Sequence, residues 1–453
     1  MNDILFHYHK VNPTTWVYLS SLLTVALYFK FSRLWSVRNL DLVGLILLAP
    51  GLLVVEFGLL KENPDIEQIG YVWLFVTSGL FMIRLLLDPM MVRRPLLEPN
   101  LSVGGMTFLG ISLMVFLMAN VVNSNTTPDD LAGVKGAEQL RALQSSGPDD
   151  NSLIDHGPGY PLLHLLPTLS TQMLLIRDAA GQSPQEKDLG RDVVHIATAR
   201  TMAILSHLAV VIGMVLIGYR HFGNIRMGIA AATLYLLLPY TAQLTARVDH
   251  AVPAALLVWA VAAYRRPLVS GMLMGLAIGV IYYPLFLLPL WLGFYWQRGL
   301  LRFSLGVVIT LAILVGVLAF TSDSPAGFWS QVQEMFGWTS LSRQDMQGFW
   351  SYDIIAPVYR YPVLVLLSAF SISLALWPAQ KNLGTLMSCS AAVMIATQFW
   401  HPRGGGLYMA WYLPLVLLTI FRPNLEDRVA LSVLGQGWFP KRRANLGGAE
   451  KAA

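Results

Sequence analysis

Long apolar blocks alternate with short polar connections along the whole chain. Most blocks contain about 15 to 22 residues, the length that a helix needs to cross roughly 30 Å of hydrocarbon. A soluble α/β protein would interrupt such blocks sooner with the polar faces of its helices and strands. The pattern therefore predicts about thirteen membrane-spanning helices. The predicted spans are 14–30, 41–60, 70–87, 105–122, 196–218, 225–240, 251–264, 267–282, 284–297, 303–320, 358–377, 383–400 and 407–421.

The composition argues against a soluble globular protein. Of the 453 residues, 55% are hydrophobic and only 13% are charged, whereas a soluble chain carries about 25% charged residues. The mean hydropathy is +0.55. The net charge of +5 does not indicate nucleic-acid binding, because the lysines and arginines form short clusters between apolar blocks. The single cysteine, Cys389, has no second thiol to pair with and leaves the redox compartment open.

Lysine and arginine residues fall in alternate connections between the predicted spans. Such residues are enriched in the cytoplasmic connections of membrane proteins. We therefore predict an N-terminus outside and a C-terminus in the cytoplasm, as in a multi-pass protein of a bacterial inner membrane. The outer connections are then 61–68, 123–195, 321–357 and 401–406. The basic residues of the cytoplasmic side are Lys30, Arg33, Arg38, Arg84, Arg93, Arg94, Arg220, Arg226, Arg265, Arg266, Arg298, Arg302, Lys381, Arg422, Lys441, Arg442 and Arg443.

The outer connection 123–195 is far longer than the few residues that usually join helices, so we expect it to fold and to act. Within it, 160–176 is apolar along one side but too short to span, which predicts a helix lying in the interface. Asp129 and Asp130 follow the fourth span closely and would lie near the outer bilayer surface. A carboxylate there can accept a proton from an incoming hydroxyl. An Asp after Pro128 can equally well cap the following helix.

The residues around this acidic doublet resemble the GT-C superfamily of membrane glycosyltransferases. The shared pattern is an acidic residue just after a span, a helix rich in Gly and Ala (GVKGAEQLRAL), and the turn DHGPGYPLL before the interfacial helix. The resemblance is closest to the protein O-mannosyltransferase and aminoarabinose transferase group, which uses polyprenyl-phosphate sugars. It implies that Asp130, in preference to Asp129, is the catalytic base. It also implies that Asp155, His156 and Tyr160 of the turn bind substrate.

A middle segment, TARVDHAVPAALLVWAVAAYRRPLVSG, resembles the same family. Asp249 matches an outward-facing Asp that opens a span and is implied to contact substrate. A local ion pair between Asp249 and Arg247 is an equally good interpretation. Tyr282, Tyr283 and Pro284 stand where many relatives have Lys and Pro, so the resemblance does not carry a phosphate-binding lysine over to this position.

The late segment QFWHPRGGGLYMAWYLPLVLL resembles the outer loop in which the family places an Arg or Tyr near the donor's phosphate. The resemblance implies that His401, Arg403 and Tyr408 bind substrate. Arg403 could instead extend its charged end to the headgroup level. The adjacent glycines, however, allow backbone to approach a ligand closely, which favours the phosphate contact.

The resemblance implies an all-α, polytopic helix bundle with a GT-C-like catalytic core at 105–421 and interfacial helices in its outer loop, 123–195. Residues 1–104 would then be additional transmembrane helices and 422–453 a cytoplasmic tail. The implied activity is transfer of a sugar from a polyprenyl-phosphate donor to a hydroxyl of a lipid, glycan or protein acceptor on the outer face. A non-catalytic transporter, a flippase or a polysaccharide-assembly subunit is the rival class.

Other polar residues in apolar surroundings have simpler interpretations. His164 and His207 are expected to be hydrogen-bonded structural residues. Glu56 and Arg84 lie in or beside spans, where ionisable groups are costly, and we expect them to pair with each other. The sequence has no motif for a cofactor or for zinc, although the outer loop holds enough carboxylates for a divalent cation.

Overall fold

The chain folds into α-helices, as the apolar pattern predicts. The structure is a computed structural model, and it describes residues 12–91, 97–124, 126–142, 157, 159–175, 184–322, 324–341, 346–352, 355–379 and 381–423. Over these ranges there is no β-strand, and an isolated bridge joins Gln347 and Arg403. The all-α class is therefore confirmed for the described part of the chain.

Helix starts follow the local sequence. The side chains of Ser36 and Ser102 accept hydrogen bonds from backbone N–H groups in the first turns of their helices, and Asn63 does the same before a proline at the first helical position. The helices are α1 (Pro13–Tyr28), α2 (Val37–Leu60), α3 (Pro64–Leu86), α4 (Val103–Asn123), α5 (Pro128–Ala142), α6 (Gly159–Leu175), α7 (Pro184–Arg220), α8 (Ile225–Leu237), α9 (Pro239–Gln243), α10 (Val248–Ala262), α11 (Pro267–Val280), α12 (Leu288–Tyr295), α13 (Leu300–Thr321), α14 (Pro325–Met335), α15 (Arg360–Leu376), α16 (Leu383–Trp400) and α17 (Leu413–Phe421).

Every predicted span contains a helix, but the helices differ in length. Among the described residues, seven are long and apolar enough to cross a membrane: α2, α3, α4, α7, α13, α15 and α16. The helices from α8 to α12 have at most 15 residues, or about 22 Å at 1.5 Å per residue. The chain is thus a helical protein with several membrane-spanning helices, and the count of thirteen stays a prediction.

Helix α16 lies at the centre of the bundle. The apolar stretch of α16 that could cross the membrane is 94% buried, whereas the corresponding stretches of α4 and α15 are 22% buried. Large apolar side chains such as Phe108 on α4 and Leu301 and Phe320 on α13 are at least 75% exposed. Exposed apolar side chains on spanning helices suit contact with hydrocarbon. The core therefore surrounds α16, with α4, α13 and α15 at the periphery.

A buried network of charges joins α2 and α3 to the end of α17. The Arg84 guanidinium donates to both carboxylate oxygens of Asp41, at 2.7 and 2.8 Å, and to Asp88 at 3.0 Å. Arg422 donates to the other oxygen of Asp88 at 2.6 Å. The prediction that Glu56 pairs with Arg84 is wrong. Asp41, at the start of α2, binds Arg84, whereas Glu56 lies about 22 Å further along the same helix at 1.5 Å per residue.

The long connection contains the two predicted helices in the parts that the structure describes. Helix α5 contains the segment GVKGAEQLRA, and α6 covers most of 160–176 and continues through Pro167. The two helices pack on each other and on α7. Helix α7 begins at Pro184 and is therefore longer than the predicted span 196–218.

Candidate functional site

A cavity of about 930 Å³ lies at the end of the bundle where the predicted outer connections meet. The α2–α3 hairpin, the start of α5, the connection before α10, and the segments 346–351 and 403–408 all contribute to its wall. The acidic residues in the wall are Glu56, Glu67 and Asp129, and the arginines are Arg247 and Arg403. The segments that charge patterning assigns to one side of the membrane therefore meet around one polar cavity.

Asp129 and Asp130 have different surroundings although they are adjacent. The Asp130 side chain accepts hydrogen bonds from the backbone N–H and the hydroxyl of Thr127, both at 2.8 Å, and the residue is only 4% exposed. Thr127 Oγ1 accepts in return from Asp130 N at 3.4 Å, so the two residues form a reciprocal cap around Pro128. Asp129 lines the cavity with a side chain that is 61% exposed. Asp129, rather than Asp130, therefore faces a potential ligand.

Arg247 connects Asp129 to Asp249. Its Nε and Nη2 donate to the two carboxylate oxygens of Asp249 at 2.9 and 2.7 Å, and its Nη1 donates to Asp129 Oδ2 at 2.7 Å. The predicted local pair between Arg247 and Asp249 is therefore present. Asp249 is 1% exposed and does not line the cavity, so its role visible here is to hold Arg247. Among the described residues, Asp129 Oδ1 has no hydrogen-bond donor, and it remains available to the cavity.

The glycine-rich turn before α6 packs against the end of α11. Gly157 N donates to Val280 O at 2.8 Å, and a Cβ on Gly159 would lie 2.7 Å from the carbonyl carbon of Gly279. Tyr160 is fully buried behind this contact, and burial followed by the Asp249 carboxylate raises the pKa of its hydroxyl. The hydroxyl therefore stays protonated beside the acidic groups. Asp155 and His156 lie outside the described residues.

Arg403 is held in the cavity wall through its backbone. Gln347 N donates to Pro402 O at 3.0 Å, Gly404 N donates to Gln347 O at 3.1 Å, and Arg403 N donates to His401 Nδ1 at 3.1 Å. Gly404 has φ +58°, a conformation that favours glycine. The segments around 347 and 403 therefore form one rigid edge of the cavity, and the glycine after Arg403 is required by the turn.

Histidine and tyrosine rings form the wall beside Arg403. Tyr408 lines the cavity and stacks on His250 at 4.6 Å and on His401 at 4.3 Å between ring centroids. His401 is 4% exposed and also stacks on Tyr283 at 5.1 Å. His401 therefore supports Tyr408 and the Arg403 turn from behind, whereas His250, which was not singled out from the sequence, lines the cavity itself.

The two other histidines singled out from the sequence have structural contacts. His207 bonds to the Tyr235 hydroxyl at 2.9 Å and to Thr245 O at 3.1 Å. His164 Nδ1 lies 2.8 Å from Tyr160 O. Within the described ranges no group of three or more His, Cys, Asp or Glu side chains could hold a metal ion.

Sequence reasoning missed the wall that α2 and α3 supply. Glu56 of α2 and Glu67 and Tyr71 of α3 line the cavity, although residues 1–104 were expected to lie outside the catalytic core. The spacing of Glu67 and Tyr71, four residues apart on one helix face, was a signal that could have been noticed. Their position opposite Arg403 depends on tertiary packing and has no local signature.

The cavity combines the Asp129 carboxylate, the Arg403 guanidinium and apolar surface. A positioned carboxylate can remove a proton from a hydroxyl, and arginine binds phosphate through charge-assisted hydrogen bonds. Leu52, Val55 and Leu59 supply apolar surface on one side. Comparison with protein-family models, with curated proteins and with solved structures finds no match to this chain.

Proposed function

We propose that this protein is a membrane glycosyltransferase of the GT-C type. It transfers a sugar from a polyprenyl-phosphate donor to a hydroxyl of a lipid, glycan or protein acceptor. The observation that carries the proposal is the single cavity that contains both Asp129 and Arg403. A proton acceptor and a phosphate-binding cation in one cavity are the two groups that this reaction requires.

Asp129 is the proposed base in this cavity. The acceptor O–H bond breaks as the acceptor oxygen bonds to the anomeric carbon, and the proton moves to the Asp129 carboxylate. The bond between the anomeric carbon and the phosphate oxygen breaks in the same inverting step, and the electron pair leaves with the polyprenyl phosphate. Arg247 orients Asp129 through Oδ2. Asp130, which the family resemblance favours as the base, instead binds Thr127 and supports the start of α5.

Arg403 is the proposed phosphate ligand. Arg247 already donates three short hydrogen bonds to two carboxylates, and these carboxylates balance its positive charge. Among the described residues that line the cavity, Arg403 is the other arginine, and the turn that carries it is held by backbone hydrogen bonds. Tyr408 extends the same wall and would contact the leaving group or the sugar.

The proposed site faces the outer side of the membrane. Nucleotide sugars are absent there, so a lipid-linked donor is required. The proposal includes thirteen spans, an outer N-terminus and a cytoplasmic C-terminus, with 105–421 as the catalytic core. It is supported by the alternation of basic connections and by the convergence of the opposite connections on one cavity.

Cysteine labelling tests this orientation. In a Cys389→Ser background, single cysteines at Lys135 or Glu62 should react with a membrane-impermeant maleimide in intact cells or spheroplasts. Cysteines at Arg266 or Arg298 should react only after permeabilisation. All four positions are exposed, so a difference in labelling reports the side of the membrane. Labelling of Arg266→Cys from outside would contradict the orientation and the use of a lipid-linked donor.

The activity is tested with purified protein in nanodiscs and a panel of polyprenyl-phosphate hexoses and pentoses. The expected result is release of polyprenyl phosphate together with a glycosylated acceptor in a membrane-lipid or envelope-glycan extract. Movement of intact donor across the bilayer without bond cleavage would favour the flippase or transporter class. Absence of both outcomes with every donor would contradict the proposal.

Arg403→Ala should weaken the binding of a polyprenyl phosphate that carries no sugar. A charge-assisted hydrogen bond contributes about 1.5–3 kcal/mol, so Kd should rise about tenfold to hundredfold. Quenching of intrinsic tryptophan fluorescence in nanodiscs measures the change. Arg298→Ala, an exposed arginine at the other end of the bundle, is the control and should bind as the parent does. Equal affinity in both variants would remove Arg403 from the phosphate site.

A further inference from the structure

Glu67 and Tyr71 present two polar groups from α3 to the cavity. They are four residues apart in the sequence and therefore lie on the same face of the helix. Both line the cavity that also contains Asp129 and Arg403. The proposed reaction uses neither residue, because Asp129 takes the proton and Arg403 binds the phosphate.

Tyr71 is a largely buried residue that reaches the cavity. Tyr71 is 3% exposed, and a Cβ on Gly348 would lie 2.7 Å from its ring carbon Cζ. Its hydroxyl makes no hydrogen bond to any of the residues that the structure describes. A group on a ligand in the cavity is a suitable partner.

Glu67 adds a carboxylate next to this hydroxyl. The side chain is half-buried in the first turn of α3, and across the described ranges it has no ion pair or hydrogen bond. Glu67 and Tyr71 are one helical turn apart on α3, so their side chains are neighbours on the helix surface. A carboxylate would repel a phosphate, whereas it accepts hydrogen bonds from hydroxyl groups. Neighbouring hydroxyls of a sugar can donate to the Glu67 carboxylate and form a hydrogen bond with the Tyr71 hydroxyl.

Tyr71 lies beside the turn that carries Arg403. Gly404 directly follows Arg403, and a Cβ on Gly404 would lie 3.5 Å from the Tyr71 hydroxyl oxygen. A ligand whose phosphate binds Arg403 therefore has one of the two groups on that phosphate close to Tyr71. In a polyprenyl-phosphate sugar these groups are the sugar and the hydrocarbon chain, and a polar hydroxyl suits the sugar.

We propose that Glu67 and Tyr71 bind hydroxyl groups of the donor sugar and thereby select the donor. The inference rests on the proposed function, because it takes the phosphate on Arg403 as its starting point. It gives α3 a direct part in substrate recognition, although its helix belongs to the segment that was expected to precede the catalytic core. The two side chains are specificity residues and take no part in breaking or forming bonds.

The test compares two ligands on the same protein in nanodiscs: a bare polyprenyl phosphate, and members of a panel of polyprenyl-phosphate hexoses and pentoses. The parent should bind at least one sugar-bearing member more tightly than the bare phosphate. Glu67→Ala should weaken the binding of that member about tenfold, and Tyr71→Phe about twofold to tenfold, from the usual worth of charged and neutral hydrogen bonds. Neither substitution should weaken the binding of the bare phosphate.

Asp65→Asn is the matched control. Asp65 lies in the same first turn of α3 but is exposed and does not line the cavity, so both affinities should equal those of the parent. Tyr71→Phe keeps the ring against Gly348, and an unchanged melting temperature would show that the fold is retained. Equal loss of both ligands, unchanged binding of the sugar-bearing donor, or no preference for any sugar in the parent would each overturn the inference. If the parent binds neither ligand, the proposed function fails first.

Discussion

Arg84→Met is expected to lower the free energy of unfolding by about 3–5 kcal/mol, the usual cost of removing one partner from a buried ion pair. The Asp41 and Asp88 side chains are 2% and 0% exposed. Without Arg84, Asp41 loses both hydrogen bonds that hold its carboxylate, while Asp88 keeps Arg422. Methionine fills much of the same space, so the loss reports the charge rather than a cavity. Denaturant titration in detergent micelles measures it.

Arg298→Met is the control for Arg84→Met. Arg298 is exposed at the predicted cytoplasmic end, and such substitutions usually change stability by less than about 0.5 kcal/mol. Adding Asp41→Asn to Arg84→Met should recover part of the loss, because the buried carboxylate that has lost both Arg84 hydrogen bonds is then replaced by a neutral group. If Arg84→Met unfolds at the parental denaturant concentration, the network does not anchor α3 to α17.

The buried charge network also helps to position the cavity wall, because helix α3 extends from the network to the cavity. Arg84 lies near the end of α3, and Tyr71 lies thirteen residues earlier, about 20 Å away along the helix at 1.5 Å per residue. Gln68 donates to Phe349 O at 3.1 Å, which ties the same helix to the 346–352 segment. Helix α3 is thus held at both ends, and Glu67 and Tyr71 keep a fixed position relative to Arg403.

The helical elements were largely predictable from the sequence. A block of apolar residues has few alternatives to a helix in a membrane, because its backbone hydrogen bonds must be made within the segment. The helix α6 was also predictable from its one-sided apolar pattern, and its placement in the membrane interface stays a prediction. What the pattern did not resolve is which short blocks cross the bilayer alone, since α8 to α12 are too short to be assigned by length.

The choice between Asp129 and Asp130 could not be made from the doublet alone. Adjacent residues differ by about 100° around a helix with 3.6 residues per turn, so one side chain can face the cavity while the next faces the protein. The useful signal was Thr127, three residues before Asp130, which is the spacing of a reciprocal helix cap. The resemblance to a family aligns an acidic residue with a role but does not fix the register of a doublet.

The pairing of charges across helices was the least predictable feature. Glu56 and Arg84 were paired because both stand in apolar surroundings. In the antiparallel hairpin of α2 and α3, however, the partner of a residue near the end of α3 comes from the start of α2. Asp41 satisfies that geometry and Glu56 does not. Glu56 instead lies at the cavity end, together with Glu67.

Asp129→Asn is expected to reduce turnover of sugar transfer about 10²- to 10⁴-fold, the usual contribution of a positioned general base. Asparagine keeps the size of the side chain and can still accept a hydrogen bond from Arg247, so the wall of the cavity should remain in place. Asp130→Asn should have a much smaller effect, because asparagine can also accept from Thr127 and cap the helix.

Glu138→Gln is the control, since Glu138 lies on the same helix, pairs with Arg191 at 2.9 Å, and does not line the cavity. Single-turnover transfer from a bound polyprenyl-phosphate sugar separates this loss from donor binding, which should not change. A larger loss for Asp130→Asn than for Asp129→Asn would make Asp130 the base. Parental rates for both would show that the doublet only supports α5, and the proposed mechanism would then be wrong.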